Sequence, residues 1–83
     1  MKLDEVNKIE VVTGVSIGQL NVMEVRFLDN KKRRVGYKYI NAEDLKVKGI
    51  IKKVNSFRKA ESWLNTIEGR KWAVMEAKHT KFS

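Results

Sequence analysis

Between Arg26 and Tyr39 the chain reads RFLDNKKRRVGYKY, four consecutive cations framed by residues that alternate apolar with polar. Arg and Lys on one face of a strand pair, here Arg26, Arg34 and Lys38, suit contacts to base edges, and Lys31, Lys32 and Arg33 at the intervening turn suit phosphates. A second series, Lys46, Lys48, Lys52 and Lys53, runs on into Arg58 and Lys59 and suits tracking of a polyanion backbone, with an affinity that falls as salt competes for the phosphates. Residues 31 to 59 hold eleven Lys and Arg against two acids, Glu43 and Asp44, a local charge of +9 within a total of +8, so the rest of the chain carries −1. Charge segregated in this way concentrates polyanions near the surface and speeds their association.

Side chains for covalent or acid–base chemistry are scarce. His79 is the single imidazole and has no carboxylate or hydroxyl partner identifiable by spacing, so it reads as a solvated surface residue. Asp4 with Glu5, and Glu43 with Asp44, are adjacent pairs, and neighbours on a helix or strand do not face one another. The absence of cysteine removes disulfides, thiolate nucleophiles and cysteine-based metal sites. With no phosphate-cradling glycine loop and no zinc spacing, the expectation is a protein that is not an enzyme and uses no cofactor or metal.

Eighty-three residues make one domain, 1–83, with a small core that a homodimer would reinforce. The stretch MKLDEVNKIE lacks the apolar run of a signal peptide and no window approaches the length of a membrane span, so a soluble cytoplasmic protein is expected, with no membrane partner.

The elements that must position the cations read as strands first and helix last. Ile9, Val11 and Val12 mark a strand over Lys8 to Thr13, punctuated by Thr13 and Gly14. Met23, Val25 and Phe27 alternate with Glu24 and Arg26, the period of a strand with one buried face. A three-residue loop, Asn30 to Lys32, then pairs Asp29 with Arg33, Phe27 with Val35, Val25 with Tyr37 and Met23 with Tyr39. In that register Tyr37 and Tyr39 point into the core, and Arg26, Arg34 and Lys38 share the exposed face. Ala42 to Leu45 suits one helical turn, and Lys48 to Val54 reads as a further, lysine-guarded edge strand.

Asn55 and Ser56 offer an N-cap to the convincing helix. At about 100° per residue, Phe57, Ala60, Trp63, Leu64, Ile67, Val74 and Met75 fall within about 120° of arc if the helix continues through Gly69. The alternative is a helix that stops at Gly69, with Lys71 to Ala77 as a strand. Trp72 lies off the stripe and is the candidate anchor for a dimer or protein contact.

Strand, basic turn and strand, followed by FRKAESWLNTIEG, resemble the amino-terminal arm-binding domains of phage and transposon tyrosine integrases, with Lys59, Ala60, Trp63, Leu64, Ile67 and Glu68 at the matching helix positions. The resemblance covers about half the chain and implies a sheet face, carrying Arg26, Arg34 and Lys38, that lies in the major groove of duplex DNA. Residues 41 to 55 interrupt the junction that is direct in that family, and four strands plus a helix also look like single-strand-binding dimers of the transcription-coactivator type.

The sequence therefore reads as an α+β domain, an antiparallel sheet of three to four strands packed against one C-terminal α-helix. Its expected activity is non-catalytic nucleic-acid binding, DNA before RNA, as a phage-like or mobile-element accessory or regulatory factor. The binding set is Arg26, Lys31, Lys32, Arg33, Arg34, Lys38, Lys46, Lys48, Lys52, Lys53 and Arg58, with Trp72 at a protein interface. The alternative is an inhibitor or adaptor that docks an acidic protein partner through the same cations.

Overall fold

Burial of one face of each strand organises the chain. In β2 (Leu20–Leu28), Met23, Val25 and Phe27 are almost fully buried and alternate with half-exposed Glu24 and Arg26. Each such side chain contributes about 1.5–3 kcal/mol, more than any surface pair can, so this row sets which face of the sheet turns inward. The computed structural model describes residues 2–17 and 20–76. It shows an α+β fold with a three-stranded antiparallel sheet in the order β1 (Lys8–Ile17), β2, β3 (Arg34–Asn41), preceded by a 3-10 turn at Leu3–Glu5. Helices α1 (Ala42–Val47), α2 (Phe57–Leu64) and α3 (Ile67–Lys71), then a π turn at Trp72–Glu76, follow the sheet. Leu45, Ile51, Ala60, Leu64, Trp72 and Ala73 from this helical part join Ile9, Met23, Val25, Phe27 and Ile40 in one core.

The hairpin between β2 and β3 has the expected loop length and a different register. Asp29 N–H donates to the Arg33 carbonyl at 2.9 Å, closing the three-residue loop, and Lys32 takes a left-handed conformation with φ 63°. The Asp29 carboxylate accepts from the Arg33 and Lys31 amides and from Arg33 Nε, at 2.8 to 2.9 Å. Those bonds, the Arg33 amide first, hold its pKa below the usual carboxylate value against the opposing desolvation, so the loop is braced above that range and loosens as pH falls through the lowered value.

Beyond the loop, Leu28 pairs with Arg34 but Phe27 pairs with Gly36, and Val35 is the extra residue of a β-bulge. From there every residue of β3 faces the side opposite to the expected one. Val25 meets Lys38, Met23 meets Ile40, and Tyr37 and Tyr39 lie beside Arg26 and Glu24. The reason is chemical as well as steric. The unbulged register would put two phenols, each needing a hydrogen-bond partner, against Val25 and Met23, whereas the bulge supplies fully buried Ile40 and turns both hydroxyl-bearing rings to the other face. Lys32 strains the loop because a side chain disfavours positive φ, so Lys32→Gly is expected to raise stability by about 0.5–1 kcal/mol, read as a higher denaturant midpoint with an unchanged slope.

Three other expectations change. Thr13 and Gly14 do not end the first strand, which runs on to Ile17 past a bulge between Val11 and Thr13. No strand forms over Lys48 to Val54. Gly49, at φ 79°, terminates α1 instead, with Gly49 N–H donating to the Lys46 carbonyl and Ile50 N–H to the Leu45 carbonyl, both at 2.9 Å, as a Schellman cap. The helical turn foreseen at Ala42 to Leu45 is α1, capped by the Asn41 side chain on Glu43 N–H.

The C-terminal helix passes through Gly69, as the stripe suggested, but breaks before it. Thr66 Oγ1 accepts from Gly69 N–H at 3.0 Å and donates to the Trp63 carbonyl at 2.6 Å, starting α3 afresh after Asn65. The break re-aims the remainder. Ile67 and Met75, core residues of an uninterrupted stripe, are 88% and 67% exposed, and Trp72 packs edge-on to Trp63 with centroids 5.6 Å apart. Trp72 is only 9% exposed, so it is a core residue and not an available partner anchor. Residues 72–76 form the π turn where the alternative placed a strand, and its last residue, Ala77, lies outside the described residues, as does His79.

The two sheet edges are handled differently. Asn65 and Glu61 of the α2 end satisfy the outer backbone of β1, with Asn65 bonding both Ile9 N–H and the Ile9 carbonyl and Glu61 accepting from Val11 N–H. On β3 the bulge and an inward-turned lysine disfavour pairing with another strand.

Candidate nucleic-acid interface

On the outer face of the sheet, three rows cross the strands. Lys8, Leu28 and Arg34 form the row nearest the hairpin, Glu10, Arg26 and Tyr37 the next, and Glu24 with Tyr39 the third. Tyr37 is 56% exposed and lies edge-to-face on Tyr39, with centroids 5.8 Å apart and planes at 86°. The Arg34 guanidinium carbon stands 5.8 Å from the Tyr37 ring centre, a cation–π contact that keeps the charge beside the ring. Arg26 Nε is buried without a hydrogen-bond partner among the described residues, between Glu10 and Tyr37. A track along β3 thus runs from exposed Lys31 and Lys32 through Arg34 to Tyr37 and Tyr39.

The expected binding residues are not all brought together. Lys38 lies on the inner face, where its Nζ donates to the Ala73 carbonyl at 2.7 Å and the Val74 carbonyl at 2.9 Å, and burial lowers its pKa. It serves as a clamp on the π turn, where a cation also meets the negative end of the helical dipoles. Arg33 is committed to Asp29 at 2.9 Å, and the concavity beneath the turn, about 540 Å³, is lined also by Asp4 and Glu5, which dilute the positive charge of the tip. Lys46 pairs with Glu43 at 3.8 Å, and Lys48 Nζ lies 5.7 Å from the Trp72 ring centre. Lys52, Lys53, Arg58 and Lys59 are exposed in the helical part, which covers the inner face. The cations therefore fall on two sides of the sheet instead of one continuous surface. Arg58 and Lys59 occupy the first turn of α2, where no acid and no side-chain cap offsets them.

Lys38→Met is expected to cost about 1–2 kcal/mol of stability at neutral pH through the two orphaned carbonyls, while leaving nucleic-acid affinity within about twofold. The pH dependence has a defined sign. Because the folded pKa is below the unfolded one, the unfolded chain holds more protons between the two values, and wild-type stability gains a rising slope in that alkaline window that Lys38→Met lacks. Denaturation of both proteins from neutral to alkaline pH measures it.

Sequence reasoning turned Tyr37 and Tyr39 inward as it turned Lys38 outward, and their outward stacking orientation hung on a bulge that hydrophobic alternation does not reveal. Among the described residues no group of three or more His, Cys, Asp or Glu could hold a metal ion, and no helix is long and apolar enough to cross a membrane. No protein-family model matches this chain, and neither does any curated protein or solved structure.

Proposed function

We propose that the chain is a non-catalytic nucleic-acid-binding module that holds an unpaired strand, DNA before RNA, on the outer face of its sheet. The observation that carries this reading is an exposed Tyr37 ring set between Arg34 and Arg26 on the face opposite the helices, with Tyr39 against it. An exposed phenol offers any unpaired base a surface to stack on, and neighbouring cations meet the phosphates without reading sequence. Entry of the sheet into a duplex groove fits less well, because Lys38 is turned away and two rings stand where the groove reading needs a flat array of donors. An accessory role in a phage or mobile element rests on the likeness to integrase arm-binding domains alone, since this face departs from the duplex-groove arrangement that the likeness implies.

Titration of the protein into labelled oligo-dT and a duplex of equal length, at about 50 and 200 mM salt, tests the reading. The unpaired strand is expected to bind tighter, with affinity falling as salt rises. Tyr37→Ala is expected to weaken it by about 1–3 kcal/mol, roughly 5- to 150-fold. Absence of binding at low salt, or an affinity indifferent to Tyr37→Ala, overturns the proposal.

A further inference from the structure

On the helical side of the molecule, Gly49 and Ile50 after α1 and Arg58, Lys59, Trp63 and Thr66 of the α2 region line a shallow, open groove of about 540 Å³. Its lining is mostly apolar and includes no acidic residue. Among the described residues, Arg58 and Lys59 form no ion pair, nor does Lys48 beside Gly49, which lies over the Trp72 ring that Trp63 abuts. Ile67, next in sequence to Thr66, leaves 88% of its surface in water. An apolar trough with a cationic rim is complementary in charge and polarity to a large apolar side chain flanked by carboxylates.

We propose that this groove docks an acidic amphipathic segment of another protein, with an aliphatic or aromatic residue seated against Ile50 and Trp63 and its carboxylates facing Arg58 and Lys59. Burial of the apolar anchor supplies affinity, and the rim supplies attraction at a distance and selects against basic partners. A phosphodiester backbone would satisfy the rim, but a stacked base would find only the half-buried Trp63 ring, where Tyr37 on the sheet face is 56% exposed. The site is separate from the outer sheet face and does not depend on the function proposed for it.

The probe is a labelled synthetic peptide of about fifteen residues with Leu at i and i+4, Glu at the positions flanking them and Ala elsewhere, a composition that favours helix and a spacing that puts both Leu side chains on one face. Controls carry Ser for Leu or Lys for Glu. The expected result is saturable binding of the first peptide alone, with amide shifts at Gly49, Ile50 and Thr66. Reversing both rim charges, Arg58→Glu with Lys59→Glu, is expected to weaken it at least tenfold, and the milder Arg58→Gln with Lys59→Gln less so; both changes lie at exposed positions. Tyr37→Ala should leave peptide binding unchanged, which separates a failure here from a failure at the sheet face. The proposal is overturned by no saturable binding up to about 1 mM, by equal binding of either control, by indifference to charge reversal, or by displacement of the peptide with oligo-dT, which would assign the groove to nucleic acid.

Discussion

Gly69→Ala is expected to lower the stability of the folded chain by about 2–4 kcal/mol, although alanine is the better helix former by about 1 kcal/mol. The two effects have opposite signs, and distance decides between them. A Cβ at Gly69 would stand 1.9 Å from the Trp63 carbonyl oxygen and 2.7 Å from Leu64 Cα, and both obstacles are backbone. No rotamer change relieves such a clash, so α3 would have to move away from α2. Movement would break the Thr66 bonds to Gly69 N–H and to the Trp63 carbonyl and disturb the packing of Trp72 on Trp63. Denaturant unfolding measures the outcome. A midpoint at or above the wild-type value would contradict the close approach of Gly69 to the Trp63 carbonyl.

The second large effect belongs to Asn65. Asn65→Ala is expected to cost about 2–4 kcal/mol, because one side chain closes three bonds across 56 residues of sequence and within its own helix. Its Oδ1 accepts from Ile9 N–H at 2.9 Å, and its Nδ2 donates to the Ile9 and Glu61 carbonyls, each at 2.8 Å. Removing it leaves the backbone of a fully buried residue, Ile9, without partners at the sheet edge, at a cost of about 1–3 kcal/mol per group. Asn65→Asp should be nearly as damaging. A carboxylate can still accept from Ile9 N–H, but it sets negative charge against the two carbonyls. Amide exchange gives a local readout. Ile9 N–H should lose protection in both variants, and retained protection with unchanged stability would mean that the edge of β1 is satisfied in another way.

How far the sequence revealed this fold depended on whether each feature follows from local pattern. Alternation along Met23, Val25 and Phe27 named the buried face of β2 correctly, because nothing interrupts it. The three-residue loop is right as well, but its inference rests on pairing Phe27, Val25 and Met23 with Val35, Tyr37 and Tyr39, and only the loop survives. The next residue undid the extrapolation. Val35 fits a strand whether paired or bulged, so the sequence offers no local reason to skip it, and one skipped residue exchanged Tyr37 and Tyr39 with Lys38. The burial of Ile40 decides the matter, and that depends on α1 and the C-terminal helices closing over the sheet.

The same lesson holds at the other end of the chain. Gly49 looked like a strand glycine because isoleucines follow it, yet Ile50 and Ile51 face the core from an irregular segment after a Schellman cap. Between Asn65 and Thr66 the apolar stripe continues on paper. Both residues instead use their side chains on backbone groups, a competition with the helix that their types permit but do not compel. For the candidate site, the chemical class of the cations was legible and their grouping was not. Two runs close in sequence ended on opposite sides of the sheet, and one lysine was drawn inside to clamp a turn 35 residues away.

The central claim is that an unpaired strand lies along β3 on the outer face. Amide chemical-shift mapping during titration of the wild-type protein with oligo-dT tests it most directly. The expected result is a set of shifts centred on Arg26, Arg34, Tyr37 and Tyr39, with Arg58 and Lys59 unmoved. Shifts centred on the loop and helix from Lys46 to Lys59, with Tyr37 silent, would contradict it.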